Sequence, residues 1–272
     1  MVFIPVFYVA QKRSGTKQYF YVSDKPKTGM TKHPGSGKYI GRYHMNSNGY
    51  SATGYSPYVN MTRANVRNKA KSVGSKFHLY DFATYCAIIF LYIVEFANWN
   101  CQSKIGQGYT NNNNSSAISS GYTDSMTYHT GRASGTDGKT AVQYRWIENL
   151  WGNVFQWVDG FNANGTTAYY CTDPSKYADD TLTGYTEIGT LPASGYIKDL
   201  IVTDNGLLIP KTTGGSETTY IPDHMWSSSG WRVLYVGGGW NSGTDAGLLC
   251  FDADYASSVS ISGISARLLC EA

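Results

Sequence analysis

The sequence has few charged residues and carries no motif of a common catalytic or metal site. Asp, Glu, Lys and Arg make up 15% of the 272 residues, against about 25% in an average globular protein, which excludes a disordered chain or a coiled coil. It contains no C-x-x-C, H-E-x-x-H or G-x-S-x-G pattern, so neither a zinc site nor a serine-hydrolase elbow is predicted. The longest apolar run, residues 85–94, is about half of what a bilayer-spanning helix needs, so we expect no membrane insertion.

Cysteine and histidine are too few and too scattered to indicate a metal or catalytic centre. None of the five histidines lies at ligand spacing from another histidine or from a cysteine. The cysteines are odd in number and widely spaced, which favours reduced, buried thiols in a protein made in a reducing cytosol. We therefore predict no catalytic residue, no metal site and no cofactor. The cysteines are Cys86, Cys101, Cys171, Cys250 and Cys270.

Tyrosine is abundant, and the charges are unevenly distributed. The chain has 23 Tyr, 7 Trp and 10 Phe, and tyrosine gives a binding surface rigid contact area with a polar tip. Residues 1–76 hold 13 Lys and Arg but a single acid, Asp24, while the remainder of the chain is acidic overall. Solvated charged faces together with attraction between the two regions are the interpretation we favour. A nucleic-acid-binding arm is the alternative, but no nucleic-acid motif accompanies the basic residues, and we predict no nucleic-acid partner.

Two helices can be predicted from local patterns. Thr62 is a plausible N-cap, the apolar residues that follow share one helical stripe, and Gly74 is a natural stop. A second helix is predicted from Asp81 to Asn98, and it is apolar on almost every side, so it should be buried.

The rest of the chain predicts short strands separated by loops, and we assign residues 1–272 to one α+β domain. Residues 101–140, with four consecutive asparagines at 111–114, are predicted to be loop. The predicted strands are 2–9, 18–22, 154–158, 231–236, 247–251 and 266–270.

The last part of the chain alternates apolar strands with loops of small and polar residues. Residues 237–246 and 252–265 are the two loops, and each lies between predicted strands. A rigid strand frame that holds two loops is a common way to offer a recognition surface. Ordinary surface loops would give the same pattern, and the residues alone do not separate the two interpretations.

Three parts of the sequence share a pattern with one family. Residues 144–160 read YRWIENLWGNVFQWVDG, and residues 237–270 contain Gly237-Gly238, Ala246-Gly247-Leu248, Ala256-Ser257-Ser258 and Ala266-Arg267-Leu268-Leu269. The first block resembles YRGIENLWGNVWQWVDG of the variable proteins of diversity-generating retroelements, in their C-type lectin form, and the second resembles the mutagenised cassette of that family. The segments Thr62-Arg63-Ala64-Asn65 and Asp81 to Asn98 are similar to the helices of gut-phage tail proteins that carry this cassette.

The resemblance implies a fold and an architecture. It implies a C-type lectin fold of the α+β class with the elaboration of formylglycine-generating enzymes, in which two helices pack on short, twisted antiparallel strands joined by long loops. Residues 237–270 would be the variable cassette within that domain. Six residues should hold the scaffold: Trp151, Trp157, Val158, Leu248, Arg267 and Leu268.

The resemblance also implies which residues vary. In this family, template adenines are copied with errors, so asparagine-type codons change while the framework is spared. Carried over by position, the ligand-binding, variable residues on the solvent side are Trp240, Asn241, Thr244, Asp245, Cys250, Asp252, Asp254, Tyr255, Val259, Ile261, Ser262 and Gly263.

The residue types in the cassette fit this mechanism with one exception. Changing the first two bases of an asparagine codon cannot give Lys, Glu, Gln, Met or Trp, and residues 239–265 contain none of the first four. Trp240 is the exception. Ser265 and Leu249 also depart from the family, which usually has Gly and often Phe at these positions.

The resemblance implies a non-enzymatic phage tail protein that binds a host receptor. It would be made in the bacterial cytoplasm and act at the tail tip of the virion. Its partners would be a host cell-surface protein or glycan and other tail proteins, and a homotrimer is compatible with a tail tip, although no coiled-coil segment enforces one. A few central aromatic residues such as Trp240 and Tyr255 should carry the affinity.

Two alternatives remain at this point. Sulfatase-modifying, formylglycine-generating oxidases share a version of the 144–160 block and the same fold, and they would need reactive cysteines in a substrate cleft. A calcium-dependent sugar lectin would need an E-P-N or Q-P-D tripeptide, which is missing, and Trp240-Asn241-Ser242 lacks the carboxylate of the W-N-D partner motif.

Overall fold

The computed structural model describes residues 1–111 and 115–272, in which strands far outnumber helices. Residues 112–114, which belong to the predicted asparagine-rich loop, lie outside the described residues. The helices are α1 (Arg63–Val73), α2 (Phe82–Phe96) and α3 (Cys101–Lys104), and two 3-10 turns cover Pro174–Lys176 and Gly243–Asp245. The strands are β1 (Val2–Ile4), β2 (Tyr8–Ser14), β3 (Lys17–Ser23), β4 (Thr31–Lys32), β5 (Lys38–Ile40), β6 (Phe77–Leu79), β7 (Gly131–Arg132), β8 (Val142–Tyr144), β9 (Ile147–Glu148), β10 (Phe155–Asn164), β11 (Thr167–Tyr170), β12 (Thr186–Thr190), β13 (Gly195–Val202), β14 (Leu208–Thr213), β15 (His224–Ser227), β16 (Trp231–Val236), β17 (Phe251–Ala253), β18 (Ile264–Ser265) and β19 (Leu268–Glu271).

Both predicted helices form where the local signals place them. The Thr62 side chain accepts a hydrogen bond from the Asn65 N–H, and Gly74 follows the last residue of α1. The Asp81 carboxylate accepts the Thr84 N–H at the start of α2, and Ala97 ends this helix in the left-handed conformation. The burial predicted for the second helix is confirmed, because most of its residues are buried. The short helix α3 lies inside the segment predicted to be loop.

The largest sheet is built mostly from antiparallel pairs and carries the cassette strand β17 near its centre. Its order is β12-β11-β10-β16-β17-β15-β13-β14, and β18 pairs with β10. The two parallel pairs among the described strands are β10 with β18 and β15 with β17. Together with two long helices, this gives a mostly β structure of the α+β class.

The carboxy-terminal strand joins a different sheet, with the order β1-β5-β19-β6. β19 therefore pairs with strands from the first third of the chain, with Leu269 opposite both Ile40 and His78. The cassette thus begins in one sheet and ends in another, and both of its ends are fixed by framework strands.

The strand predictions near the carboxyl end are confirmed in part. β16 coincides with the predicted strand over 231–236. The prediction for 247–251 is wrong in its bounds, because β17 is Phe251–Ala253. The preceding residues turn instead, and the Cys250 N–H donates to the Gly247 carbonyl over 3.2 Å. The last prediction, 266–270, corresponds to β19 with a shift of two residues at its start.

All six predicted scaffold residues are buried. Trp151, Trp157, Val158 and Arg267 have no exposed surface, and Leu248 and Leu268 have almost none. Arg267 stabilises the frame by a distinctive set of contacts, since its guanidinium donates to five oxygens. The acceptors are the Gln156 side chain and the carbonyls of Gly41, Arg42, Glu148 and Asn149.

Pairing within the described residues accounts for part of the uneven charge distribution. Arg67 of α1 donates to both carboxylate oxygens of Asp159, over 2.6 and 2.8 Å, and this pair is buried. Lys38 lies 2.9 Å from the buried Asp81 carboxylate, and Arg13 lies 2.6 Å from Asp199. Bases from the first part of the chain therefore neutralise acids from the rest, as the favoured interpretation of the sequence predicts.

Candidate ligand-binding site

Three adjacent strands bring together the residues at the centre of the candidate site. Asp252 of β17 lies opposite Tyr235 of β16 on one side and opposite Trp226 of β15 on the other. The loop before β17 and the loop after it then close around this point. Two aromatic side chains and a carboxylate from distant parts of the chain thus become neighbours across the sheet.

These strands and loops enclose a cavity of about 670 Å³, here called the β17 cavity. This volume is in the range of small-molecule binding sites, about 300–1,000 Å³. The lining residues are Phe155, Tyr196, Trp226, Tyr235, Gly239, Trp240, Asn241, Ser242, Gly243, Thr244, Asp245, Asp252, Asp254, Tyr255, Ile261, Gly263 and Ile264.

Tyr235 is the centre of an aromatic cluster on one wall. Its ring stacks on Tyr255, with centroids 4.9 Å apart and an interplanar angle of 22°. Phe155 and Trp157 meet the same ring edge-on, at 5.0 and 5.4 Å. Such pairs contribute about 0.5–1.5 kcal/mol beyond their buried area, so this wall is rigid before any ligand arrives.

Two carboxylates lie beside the Tyr235 hydroxyl. Tyr235 donates to the Oδ1 atom of Asp254 over 2.7 Å, and the backbone N–H of Asp254 donates to the Oδ1 atom of Asp252 over 3.3 Å. Burial and the neighbouring Asp254 carboxylate together raise the pKa of Asp252 well above its usual value. Asp252 therefore holds its proton more strongly than an exposed aspartate, since two close carboxylates cannot both ionise easily.

The opposite wall comes from β13, β15 and the loop before β17. A hydrogen bond to Asp245, followed by burial, raises the pKa of Tyr196 to about 12. The His224 ring lies between the two aromatic rings of this wall, 5.0 Å from Tyr196 and 4.1 Å from Trp226. Thr244 donates to Glu217 over 3.0 Å at the rim.

Several contacts that hold the loop before β17 do not involve the predicted variable side chains. Gln102 of α3 donates to the carbonyls of Gly243 and Ala246, over 3.0 and 2.7 Å. The Gly239 N–H donates to the Ser242 hydroxyl over 2.8 Å. Gly238 has a φ of +79°, and an added Cβ would lie 2.5 Å from the Cβ of Ala246. Only glycine fits there, so the path of this loop is fixed by the backbone and by the framework.

A buried carboxyl group lies beneath the same loop. Asp223, which has no exposed surface, accepts the Leu249 N–H at its Oδ2 atom over 2.7 Å. A Cβ on Gly247 would lie 2.1 Å from that same oxygen. Burial raises the pKa of Asp223 to about 8, so the loop packs on a carboxyl group that is mostly protonated at neutral pH.

Nine of the twelve predicted site residues line the β17 cavity. They are Trp240, Asn241, Thr244, Asp245, Asp252, Asp254, Tyr255, Ile261 and Gly263. Asp252 lies at the floor with 5% of its surface exposed, whereas Asn241, Thr244 and Ile261 are exposed.

The other three predicted residues lie elsewhere. Val259 is half-buried against the core cluster that contains Trp157, and Ser262 is exposed outside the cavity lining. Cys250 is fully buried, so the expectation that it faces solvent is wrong. The turn that precedes β17 directs its side chain inward, and burial raises the pKa of its thiol well above the usual value.

Eight lining residues were not predicted from the sequence. Phe155 belongs to the block that resembles the family, and Tyr235 lies in a predicted strand. The sequence therefore marks both residues, but as parts of the framework. Tyr196 and Trp226 reach the cavity through β13 and β15, and nothing local marks them. The remaining four are Gly239, Ser242, Gly243 and Ile264.

Two features of other classes of protein, a metal cluster and a membrane-spanning helix, are absent from the described residues. Within residues 1–111 and 115–272, no group of three or more His, Cys, Asp or Glu side chains is arranged to hold a metal ion. No helix in the same residues has the length and apolar character needed to cross a bilayer.

Comparison with known proteins gives matches at the level of structure only. No family model matches the chain, and no curated protein matches its sequence. The fold is similar to a solved structure described as "Major Tropism Determinant P3c Variant", with a TM-score of 0.36 and 14% identity, over 84% of this chain and 42% of that chain. This chain therefore spans less than half the length of that protein. It is also similar to the "Major Tropism Determinant U1 Variant", with a TM-score of 0.40 and 9% identity, over 100% of this chain and 73% of that chain.

Proposed function

We propose that this chain is a receptor-binding protein of a phage tail, built on a C-type lectin fold, that binds its ligand in the β17 cavity and on the loops around it. The observation that carries the proposal is that nine of the twelve residues assigned as variable from the family resemblance line one cavity. Those assignments rest on sequence position alone, and the same cavity also takes in aromatic side chains from β13, β15 and β16. The ligand is a host cell-surface protein or glycan, and the site of action is the tail tip of the virion.

The way the cavity is built supports a surface that changes while the frame persists. Gln102 holds the loop before β17 through backbone carbonyls, and Arg267 holds the strands beneath it. Replacing exposed residues such as Asn241 or Thr244 removes no contact on which these bonds depend. A rigid frame with replaceable outward side chains is what sequence diversification requires.

The proposed source of the diversity is adenine-directed mutagenic retrohoming of residues 237–270. It predicts a near-copy of the cassette in the neighbouring DNA, beside a reverse transcriptase gene, that differs from the cassette only at adenines. Sequencing that region tests this part of the proposal alone. A neighbouring region without such a copy would contradict the retrohoming mechanism and leave receptor binding to be judged by its own experiment.

Receptor binding is tested by attachment of the fluorescently labelled chain to a panel of bacterial strains. The expected result is saturable attachment to some strains and not to others, lost when Asp254→Asn and Tyr255→Ala are combined. The control variant combines Asp24→Asn with Tyr50→Ala, which make the same chemical changes at exposed positions outside the cavity. Circular dichroism verifies that both variants fold. Equal attachment of the two variants, or no attachment to any strain, would contradict the proposal.

The oxidase alternative is less favoured by the cysteines near this site. A reactive cysteine needs an accessible thiolate, whereas Cys250 is fully buried and burial raises its pKa. Binding without chemistry is therefore the activity that the geometry of this cavity supports best.

A further inference from the structure

We propose that the β17 cavity binds an organic cation, an ammonium or guanidinium group presented by the receptor, between its aromatic walls and its aspartates. This inference rests on the proposed function, because it names the chemical class of the ligand that the same site takes. It follows from the rings, the charges and the position of the carboxylates in the cavity.

The aromatic rings supply the first part of the argument. Six of the lining residues are aromatic, and they come from β10, β13, β15, β16 and the cassette. An aromatic face carries partial negative charge, and a cation within about 6 Å of the ring centre is attracted to it. The six residues are Phe155, Tyr196, Trp226, Tyr235, Trp240 and Tyr255.

The ionisable lining residues supply the second part. Three acids, Asp245, Asp252 and Asp254, are among the described residues that line the cavity, and no Lys, Arg or His is among them. Because Asp252 holds its proton more strongly, the negative charge comes from Asp245 and Asp254. His224 lies between the rings of Tyr196 and Trp226 but is not a lining residue, and burial lowers its pKa, so it is neutral at pH 7. Glu217 adds a fourth acid at the rim, next to Thr244.

The position of the acids relative to the rings supplies the third part. Asp254 accepts from the Tyr235 hydroxyl, so a carboxylate lies at the polar edge of the central ring, and Tyr255 stacks on the face of that ring. On the opposite wall, Asp245 interacts with the Tyr196 hydroxyl and raises its pKa. A cation in the cavity would thus meet aromatic rings and carboxylate oxygens from both walls, whereas a phosphate, sulfate or carboxylate group would meet like charge and no cationic side chain.

A neutral sugar is the competing ligand, because sugars also stack on aromatic rings. It would not use the net negative charge of the cavity, so its affinity would be insensitive to salt and to loss of a carboxylate. A cation would bind more weakly at high salt, because salt screens the attraction, and also after the loss of a carboxylate. This difference allows a decisive experiment.

The experiment uses two matched pairs of probes with the full chain, and follows the intrinsic tryptophan fluorescence, to which Trp226 and Trp240 contribute from the cavity. One pair is a blocked lysine amide and its Nε-acetyl derivative, and the other is glucosamine and N-acetylglucosamine, both at a pH where the free amines are charged. The first pair represents a protein receptor and the second a glycan receptor. In at least one pair, we expect the cation to bind about tenfold or more tightly than its neutral partner.

Variants identify the carboxylates that carry this preference. Asp245→Asn combined with Asp254→Asn keeps the acceptor oxygens for both tyrosine hydroxyls but removes two charges, and should reduce the preference for the cation about tenfold. Asp24→Asn is the control, because Asp24 is exposed and does not line the cavity. An equal or weaker affinity for the cation in both pairs, no binding of either pair, or a preference that the double variant retains would overturn the proposal.

The same preparations are also tested for attachment to the bacterial strains. Attachment without a cation preference would mean that the ligand class is wrong while the receptor-binding role stands. A cation preference without attachment to any strain would mean that the ligand class is right while the receptor-binding role is wrong.

Discussion

The ring of Tyr255 lies stacked on the ring of Tyr235, with centroids 4.9 Å apart. Tyr255 belongs to the segment assigned as variable, and Tyr235 belongs to a framework strand. Phe155 and Trp157 also contact the Tyr235 ring, edge-on, so Tyr235 keeps two aromatic neighbours without Tyr255. In the proposed function, the boundary between frame and variable surface passes between the rings of Tyr235 and Tyr255.

Tyr255→Ala should leave the fold intact and abolish most of the attachment to cells. The loss of the ring pair should cost about 0.5–1.5 kcal/mol of unfolding free energy beyond the contribution of the area that the half-buried ring covers, while a central aromatic of an interface often contributes more than 2 kcal/mol to binding. Thermal unfolding and cell attachment measured on the same preparation check both parts. Tyr50→Ala, at an exposed position outside the cavity, is the control and should attach as the unchanged chain does.

Arg267→Met should destabilise the protein by more than about 3 kcal/mol, because it leaves buried carbonyl oxygens without a donor. Burial lowers the pKa of Arg267 to about 10, so the guanidinium is still charged at neutral pH and donates to all five acceptors. Arg132→Met is the matched control, since Arg132 is exposed and pairs with the exposed Asp137. Urea unfolding of both variants measures the difference, and similar midpoints for the two would show that Arg267 does not hold the frame.

Asp223→Asn should change how stability depends on pH. In the folded chain the pKa of Asp223 is raised to about 8, while an unfolded aspartate titrates near about 3.9. Between these two pKa values the Asp223 carboxyl group is protonated in the folded state and ionised in the unfolded state. The contribution of this proton to the free energy of unfolding is therefore complete below about pH 4 and is lost as the pH rises to about 8.

Asparagine has no acidic proton, so its contribution does not change with pH. The unfolding temperature of the variant should therefore rise relative to that of the unchanged chain as the pH goes from 5 to 8. Circular dichroism melts at the two pH values measure the difference, and other titrating groups cancel because both proteins share them. If the two proteins kept a constant difference across this range, Asp223 would not be the buried acid that the loop packs on.

Cys250→Asn should destabilise the chain, although a variable position would be expected to accept asparagine. Cys250 is fully buried, and an asparagine amide there would be larger and would lose its hydrogen bonds to water. Ser262→Asn, at an exposed position of the same cassette, should leave the unfolding temperature within about 1–2 °C, because surface substitutions usually change stability by less than 0.5 kcal/mol. Equal unfolding temperatures for the two variants would place the Cys250 side chain in a site that tolerates change.

Much of the fold was predictable because the signals are local. The N-cap at Thr62, the stop at Gly74 and the apolar character of α2 depend on residues within a few positions of one another. The scaffold residues were predicted from the family resemblance, and their burial is confirmed. The bounds of β17 were missed because the turn at Gly247–Cys250 is stabilised by Asp223, which lies far away in the sequence.

The sequence by itself determined the two long helices, the framework residues and the segment from which most of the candidate surface is drawn. Only the tertiary structure decided that Tyr196 and Trp226 complete the cavity and that Cys250 turns away from it. Capping and helical periodicity depend on residues within one or two turns of a helix, so they can be recognised from neighbouring residues in the sequence. The walls of a cavity depend on which strands pair across a sheet, and β17 pairs with β16 on one side and with β15 on the other. That choice is settled by how the whole chain packs.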